Sequence, residues 1–244
     1  MLRKRIISVL TIYDGILFRT KEFKPDYRYT MNFIDSWLID EIVLLDITRY
    51  KNKKNNSKFL KIVKEISSKC FVPMAVGGGI RSIDDVKSFM ACGADKVIIN
   101  TGAIINPELI TNIASTYGRQ SLIVSIDVKK SKVFSNYGSK PTILSPLNWS
   151  KEVVIKGAGE IMLNSIDRDG SLIGYDVDLC RLISENISVP LLISGGAGNW
   201  RHFEEGFLKG KADAVCTTNI YHFTEKSIKS AKNYLKSKNI SVRI

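Results

Sequence analysis

The sequence has little of what builds metal sites or disulfide frameworks. Its 244 residues include only four scattered cysteines and two histidines, which are Cys70, Cys92, Cys180, Cys216, His202 and His222. No two cysteines form a C-x-x-C pair, so we expect no metal site and no disulfide framework. Isolated thiols of this kind are typical of buried, reduced cysteines in a cytoplasmic protein.

Long apolar runs are also missing. No stretch approaches the ~20 consecutive apolar residues that a membrane-spanning helix needs, so we expect no membrane association. The first ten residues, MLRKRIISVL, combine positive charge with apolar side chains as a signal peptide does. Their apolar run ends at residues 13–14 without a small-residue cleavage site, so we interpret it as a strand. An apolar content of 44% is that of a soluble globular protein.

Positive charge is the one compositional excess. The net charge of +12 suggests a nucleic-acid partner at first sight. The lysines are spread along the chain, many of them on predicted helix surfaces, and no nucleic-acid recognition motif accompanies them. We therefore expect a solvated surface and no nucleic-acid partner. Phosphorylated small molecules or an acidic partner protein are also compatible with this charge.

Strand-like and helix-like segments alternate along the chain. Eight apolar, β-branched runs read as strands, at residues 5–12, 41–47, 72–78, 96–100, 121–127, 160–167, 190–196 and 214–218. Between most of them lie segments with helical periodicity, such as 82–93 and 106–118, each closing on a glycine. Eight such units in about 250 residues predict an α/β protein with a single (β/α)8 barrel domain over residues 1–244. An open doubly wound sheet is the alternative, but it does not require eight similar units.

The two halves of the sequence resemble each other. VPMAVGGGIRS at 72–82 is echoed by VPLLISGGAGN at 189–199, and GADKVIINTGA at 93–103 by KADAVCTTNIY at 211–221. Gly78 and Gly196 are 118 residues apart, as are Asp95 and Asp213. This spacing predicts two duplicated half-barrels, with a chance match as the alternative.

Glycine-rich strand ends predict phosphate sites in both halves. Residues 195–198 and 218–219 follow the seventh and eighth predicted strands, where (β/α)8 barrels often bind phosphate. Residues 77–79 and 100–101 repeat the arrangement in the first half. Two such sites predict a ligand with a phosphate at each end, although tight turns alone would also require glycine. No G-x-G-x-x-G or P-loop motif is present, so we expect no nucleotide cofactor and no other cofactor.

Several motifs together resemble one known family. GGGIRSIDDV, GADKVIIN, GAGEIMLNSIDRDGSLIGYD and SGGAG are similar to the HisF family, the cyclase subunits of imidazole glycerol phosphate synthase, over nearly the whole chain. The resemblance implies a (β/α)8 barrel with two phosphate sites. It also implies a HisH-like glutaminase partner that docks at the N-terminal face and supplies ammonia. In histidine biosynthesis the family cleaves and cyclises a phosphoribosyl-formimino intermediate.

The resemblance assigns roles to individual residues. It implies one phosphate site at Gly79, Asn100 and Thr101, and a second at Gly170, Gly196, Thr218 and Asn219. It implies a charged ring at the barrel floor, through which ammonia passes, formed by Arg5, Glu41, Lys96 and Glu160. Such residues would otherwise only close the floor. Arg19 stands where the family has a lysine in its first, substrate-binding loop.

One strand end departs from the family pattern. The family uses two catalytic aspartates, at the ends of strands one and five. Asp127 supplies the second, in SLIVSIDVKK, but ISVLTIYDG places Thr11 at the first position. A threonine hydroxyl does not serve unaided as a general base, and Asp14 belongs to a turn with Gly15. Since general acid–base help is worth roughly 10²–10⁴-fold, losing one partner predicts weak cyclase activity.

Two further departures favour a particular branch of the family. Asn164 replaces a family threonine on strand six, and the first loop reads RTKEFKPDYRYT at 19–30. The loop resembles HisF-like proteins associated with N-acetyl-sugar amidotransferases. We therefore expect an ammonia-delivering subunit that serves amidination of an acetamido sugar in surface-glycan synthesis, with a sugar amidotransferase as a further partner. The alternative is a histidine-pathway cyclase, and a nucleic-acid-binding scaffold is a third hypothesis that rests on net charge alone.

Overall fold

Eight parallel strands close into a barrel at the centre of the structure. The computed structural model describes residues 3–28, 39–49, 53–218 and 227–243. The strands are β1 (Arg5–Tyr13), β2 (Glu41–Asp46), β3 (Met74–Gly77), β4 (Lys96–Ile99), β5 (Leu122–Lys129), β6 (Glu160–Ser165), β7 (Leu191–Ser194) and β8 (Ala214–Thr217). Each pairs with the next, and β8 pairs with β1, which closes the cylinder. The predicted (β/α)8 barrel is confirmed, and all eight predicted strands are present.

Helices cover the outside of the barrel. They are α1 (Lys53–Ser67), α2 (Ile83–Ala91), α3 (Thr101–Ile105), α4 (Glu108–Tyr117), α5 (Pro146–Lys156), α6 (Val177–Ser184), α7 (Trp200–Leu208) and α8 (Ser227–Ser237). Helix α2 begins where predicted, because Ser82 and Asp85 form a capping box. The segment predicted as a helix at 106–118 forms α4, which begins after Pro107 and ends at the predicted glycine, Gly118. Within the described residues, no helix is long and apolar enough to cross a membrane.

Two antiparallel hairpins extend barrel strands at their carboxyl ends, and the sequence prediction missed both. Strand β1 continues into Ile16–Lys21 and Lys24–Arg28, while β5 continues into Lys132–Ser135 and Lys140–Pro141. Asp14 and Gly15 make the first turn with φ of +46° and +80°, as a type I′ turn requires. The second turn uses Lys130 and Ser131 at positive φ, a pair without glycine that gives little sequence signal.

The internal repeat is visible in equivalent bonds, and the predicted spacing of 118 residues holds for its aspartates but not for its glycines. In both halves an aspartate, Asp95 or Asp213, accepts a hydrogen bond from the first amide of the preceding barrel strand, at 2.8 and 3.0 Å. The glycines that follow β3 and β7 at matching positions are Gly79 and Gly196, with φ of +74° and +106°. These two are 117 residues apart, not 118. The second half therefore contains one additional residue between its helix and its last strand.

The barrel interior is apolar between its two ends. Inward-facing side chains from all eight strands form a separate cluster, which comprises Ile7, Val9, Val43, Ala75, Ile98, Ile123, Met162, Leu192, Ala214 and Cys216. A larger cluster lies between the sheet and the helices. The inner cluster separates a charged floor from a polar mouth, so the chemistry of the chain is concentrated at the two ends.

The last helix is tied to the start of the barrel by a buried ion pair. Lys232 Nζ on α8 lies 2.8 Å from Asp40 Oδ1, and both side chains are only 5% exposed. Asp40 Oδ2 also accepts the backbone N–H of Ile6 at 2.8 Å. The pair therefore links α8 to β1 and to the residue that precedes β2.

Candidate functional site

A cavity of about 140 Å³ opens at the carboxyl ends of the strands. Thr11 and Asp127 both line it, and they lie on β1 and β5, which are on opposite sides of the eight-stranded barrel. Thr20 and Phe23 line it as well, so the first hairpin lies over the mouth. The two strand ends compared in the sequence thus face a single space.

Asp127 is held by two donors. Ser125 Oγ and Asn164 Nδ2 both donate to Asp127 Oδ1, at 2.8 and 3.0 Å. Asn164 also donates to Ser125 Oγ at 2.9 Å. Alternate residues of a strand point to the same side, so these side chains meet because all three point into the barrel. Ser125 and Asn164 together orient the carboxyl group that the sequence identified.

Burial sets the protonation behaviour of Asp127. The residue is 7% exposed, and burial raises its pKa to about 6, although the hydrogen bonds from Asn164 and Ser125 lower it again in part. A nearby Asp169 raises the pKa further. A carboxyl group with such a pKa exchanges protons close to neutral pH, as general acid–base catalysis requires.

Thr11 uses its hydroxyl group within the fold. The side chain is buried, and its Oγ1 donates to the backbone carbonyl of Phe18 on the first hairpin. The hydroxyl proton is therefore committed to a structural bond. The residue links the end of β1 to the hairpin that covers the mouth.

The residues predicted to form the first phosphate site line the cavity. Gly79, Asn100 and Thr101 all belong to its wall. Thr101 Oγ1 donates to Asn100 Oδ1 at 3.0 Å and accepts the N–H of Asn136 at 2.9 Å. Asn100 Nδ2 bonds the backbone carbonyls of Ser125 and Phe134 at 3.1 and 3.2 Å. These bonds fix the turn after β4 against the second hairpin.

The residues predicted to form the second phosphate site are arranged differently. Thr218 lines the cavity, whereas Gly170 and Gly196 are not among its lining residues. Gly196 is buried against the loop after β6, where its carbonyl accepts the N–H of Gly174 at 2.8 Å. Gly170 lies under the first hairpin, because a Cβ atom there would stand 2.5 Å from the carbonyl of Thr20. Asn219 lies outside the described residues.

A histidine supports the glycine turn after β7. Nδ1 of His202 accepts the backbone N–H of Gly198 at 3.0 Å, so that nitrogen carries no proton. Burial lowers the pKa of His202 below its ordinary value of 6.5. The neutral ring is therefore the form that fits this turn.

The four predicted floor residues form a closed ring of ion pairs. Arg5 lies 2.8 Å from Glu41 and 3.0 Å from Glu160, and Lys96 lies 3.0 and 3.2 Å from the same two acids. Each cation therefore bridges both anions. Burial raises the pKa of Glu41, although Lys96 lowers it in part. Among the described residues, Glu160 Oε2 is buried without a hydrogen-bond partner.

Comparison with known proteins identifies the family. The profile described as "Histidine biosynthesis protein" matches residues 8–227. A protein of Pelodictyon phaeoclathratiforme named "Imidazole glycerol phosphate synthase subunit HisF" is 42% identical over 253 aligned positions, covering both chains completely. Proteins with the same name from Chlorobium phaeovibrioides and Chlorobium luteolum are each 40% identical over the same full coverage.

The chain belongs to the HisF family. The resemblance seen in SIDRDG and its companion motifs is thereby confirmed, and the sugar-amidotransferase branch stays a prediction. In this HisF-family barrel the predicted floor residues and Asp127 lie at opposite ends of one apolar interior.

Two carboxylates at the mouth of this HisF-family barrel were not predicted from the sequence. Asp46 and Asp169 line the cavity and are 3% and 9% exposed. Oδ2 of Asp169 accepts the N–H of Phe23 at 3.0 Å, and burial raises the pKa of Asp169. Signals for both were present, because Asp46 ends an apolar run and Asp169 stands within SIDRDG. Within the described ranges, no cluster of three His, Cys, Asp or Glu side chains could hold a metal ion.

Arg19 lies in the first hairpin, as the HisF-family loop comparison implies. It pairs there with Asp26 and is not among the residues that line the cavity. A role for Arg19 in substrate binding therefore stays a prediction, and its charge acts on Asp169 in the cavity wall.

Proposed function

We propose that this chain is the ammonia-using subunit of a two-component synthase. Ammonia released by a HisH-like glutaminase enters at the floor ring, crosses the barrel and reacts with a phosphorylated substrate beside Asp127. One observation carries the proposal: a charged ring and an acid-lined cavity stand at the two ends of the same apolar interior.

The interior favours neutral ammonia over ammonium. Moving an isolated ion into a medium of low dielectric constant costs far more than moving a neutral polar molecule. Glu160 Oε2 offers a hydrogen-bond acceptor at the entrance, because it lacks a partner among the described residues. Ammonia that donates to this oxygen can lose its water shell before it enters the apolar segment.

Asp127 provides the acid–base chemistry of the proposal. Ser125 and Asn164 both donate hydrogen bonds to Oδ1 of Asp127. We therefore assign proton transfer to its other oxygen, Oδ2. With a pKa of about 6, the group is ionised in most molecules at neutral pH and accepts a proton from the attacking amine. Once protonated, it can return that proton to a leaving group.

Backbone amides are the donors that we assign to phosphate. The side chains of Asn100 and Thr101 are engaged with one another and with the second hairpin. The turn at Gly79 has positive φ, which allows backbone N–H groups to approach an anion closely. Gly170, Gly196, Thr218 and Asn219 remain our assignment for a second phosphate, and Arg19 for the substrate loop.

The names of the relatives favour the histidine pathway, which the sequence analysis had placed second. We accordingly assign the chain the cyclase reaction of imidazole glycerol phosphate synthase, an ammonia-dependent lyase and cyclase reaction on a bis-phosphorylated ribotide. Proteins with full-length identity of 40–42% and that name support this choice.

Thr11 supports a second candidate function. Its hydroxyl proton is bonded to Phe18, so a single carboxylate, Asp127, remains of the pair that the family uses. A chain with an ammonia entrance but half of the acid–base pair suits delivery of ammonia to a separate sugar amidotransferase. In that case the acceptor would be an acetamido sugar that becomes an acetamidino sugar.

Ammonia-dependent turnover of the purified chain separates the two candidates. The chain is mixed with the ribotide intermediate and ammonium chloride at pH 8, and imidazole glycerol phosphate is measured by chromatography. A cyclase forms product, and Asp127→Asn lowers its rate by roughly 10²–10⁴-fold. The control is Asp84→Asn, which makes the same charge change at an exposed position on α2. Absence of product from the folded wild-type protein, with the ribotide still bound, would exclude the cyclase and leave the sugar reaction.

A further inference from the structure

Tyr137 stands at the tip of the second hairpin in an unfavourable backbone conformation. Its φ is +58°, and its neighbours Asn136 and Gly138 have φ of +50° and +72°. A bulky side chain seldom adopts this left-handed region, because its Cβ atom crowds the backbone there. Backbone strain of this kind is concentrated at functional sites, and Tyr137 is one of the residues that line the cavity.

Three neighbouring parts of the barrel hold this tip in place. The backbone N–H of Asn136 donates to Thr101 Oγ1 at 2.9 Å. Nη2 of Arg81, which follows β3, lies 3.4 Å from Asn136 Oδ1. A Cβ atom at Gly138 would stand only 3.1 Å from the ring of Phe23, so the tips of the two hairpins are packed together. Tertiary contacts therefore fix an aromatic side chain at the mouth.

The hydroxyl group of Tyr137 is not used by the fold. Among the described residues it has no hydrogen-bond partner. Burial, and then the nearby carboxylate of Asp46, raise the pKa of Tyr137 above its ordinary value of 10, so the phenol stays protonated at neutral pH. A protonated phenol without an internal acceptor is a hydrogen-bond donor that a ligand can use.

Two guanidinium groups converge on the same side chain. Arg81 and Arg49 both lower the pKa of Tyr137 in part, so both lie within electrostatic reach of it. Arg81 lines the cavity, and Arg49 Nη2 lies 3.5 Å from the backbone carbonyl of Phe23. Neither arginine makes an ion pair within the described ranges. Two cations against the single carboxylate of Asp46 leave this side of the mouth positively charged.

We propose that Tyr137, Arg81 and Arg49 form a side-chain clamp for a phosphate monoester. The clamp adjoins the turn at Gly79, because Arg81 follows that glycine by two residues. The inference rests on the proposed function, in which a phosphorylated substrate occupies this cavity, and it adds the side chains that recognise the charge. Guanidinium groups match the geometry of phosphate oxygens, and the phenol supplies a neutral donor beside them.

Other donors near the Gly79 turn are already engaged. The backbone N–H groups of Arg81 and Ser82 donate to Asp85 Oδ2, at 2.9 and 3.0 Å. An anion at this turn therefore needs donors besides the amides of the turn itself, and the clamp provides them. Phosphate has three oxygens that accept strongly, so it can receive bonds from the phenol, a guanidinium and the turn together, which a carboxylate with two oxygens does less well.

Each member of the clamp predicts a different loss of affinity. Tyr137→Phe removes only a hydroxyl without an internal partner, so stability should not change, whereas phosphate affinity should fall roughly 10- to 100-fold. Arg81→Gln should weaken binding roughly 10-fold, and Arg49→Gln roughly 2- to 5-fold. The two arginine effects should shrink when NaCl is raised from about 50 to about 500 mM, because salt screens exposed charges.

The test is a titration of the full, ¹⁵N-labelled chain with D-ribose 5-phosphate. The amide signal of Gly79 is followed by NMR, because it reports this site and not the second predicted phosphate site. Tyr117→Phe and Arg181→Gln are matched controls, which make the same side-chain changes on α4 and α6. Urea unfolding establishes that all variants are folded. We expect the losses given above for the clamp variants and wild-type affinity for both controls.

The outcomes separate the clamp from the proposed function. If Tyr137→Phe titrates as wild type does, or if wild type shows no binding at Gly79, the clamp is wrong. Lower stability of Tyr137→Phe without lower affinity would show that the tyrosine is only structural. If the affinities fall as expected but the wild-type chain does not convert the ribotide, the clamp stands and the cyclase assignment fails.

Discussion

Asn164 donates its side-chain amide to Oδ1 of Asp127 across 3.0 Å, from the strand next to the one that carries the acid. The same amide donates to Ser125, so one side chain fixes both neighbours. A hydrogen bond to a carboxylate favours its charged form. Asn164 is therefore a positioning residue that holds down a pKa that burial raises.

Asn164→Leu should raise the pKa of Asp127 above its value of about 6. The expected increase is about one pH unit, because a hydrogen bond to a charged group is worth ~1.5–3 kcal/mol and one pH unit corresponds to about 1.4 kcal/mol. The carboxyl carbon of Asp127 is titrated by NMR in labelled protein. Asn186→Leu, on the exposed surface, should leave that titration unchanged. An unchanged titration in Asn164→Leu would show that the bond does not control the acid.

Thr11→Asp tests whether the first strand end can regain a catalytic acid. The substitution removes the hydroxyl that donates to the Phe18 carbonyl, so we expect a stability loss of about 1–3 kcal/mol from an unsatisfied buried acceptor. If a second acid is what the chain lacks, the cyclase rate should rise by roughly 10²-fold. Both quantities are measured on one preparation, by urea unfolding and by ammonia-dependent turnover.

Thr11→Val separates the two effects of that substitution. It removes the same hydroxyl without adding a carboxylate, so it should share the stability loss and show no gain in rate. A cyclase rate that is already high in wild type and does not change in Thr11→Asp would mean that Asp127 suffices alone.

Lys96→Met opens the floor ring on one side. It leaves Glu41 and Glu160 with Arg5 as their remaining cation, and breaking a buried pair costs about 3 kcal/mol. We expect that loss in urea unfolding. If the ring is the ammonia entrance, the glutamine-dependent rate should also fall more than the ammonia-dependent rate. Lys87→Met, on the exposed face of α2, is the control. Equal falls in both rates would show that the ring only closes the barrel floor.

His202 should make stability depend on pH in a defined window. Its pKa lies below 6.5 in the folded chain, so the unfolded chain takes up a proton first as pH falls through 6.5. The free energy of unfolding should therefore decrease below pH 6.5 and level off once the folded protein is protonated too. His202→Asn keeps an acceptor near Nδ1 but does not titrate, and it should lack this part of the decrease between pH 7.5 and 5.5. An identical decrease in both proteins would contradict the assignment.

The alternation of apolar runs allowed prediction of every barrel strand. Buried parallel strands are continuous β-branched runs, so segments such as 41–47 and 96–100 stand out without any other information. The hairpin after β5 was not predictable in this way, because Lys130 and Ser131 adopt positive φ in a turn that lacks glycine. Tertiary pairing with β5, not local preference, stabilises that turn.

The candidate site was predictable only in part, for a similar reason. Residues at strand ends, such as Asp127 and Thr11, can be assigned to one face once a barrel is expected. What surrounds them depends on loop packing. Gly196 illustrates the difference, since its sequence context resembles that of Gly79 but the loop after β6 covers it.

The pairing of Lys232 with Asp40 has a consequence for the order of synthesis. The aspartate leaves the ribosome near the beginning of translation, whereas its cation is made almost at the end. Until then the carboxylate has no cation beside it and must stay hydrated. The N-terminal ends of β1 and β2 therefore stay accessible to water in a nascent chain. The last helix thus completes the N-terminal end of the barrel. A chain truncated before residue 232 should leave this end open to water, at the place where ammonia is proposed to enter.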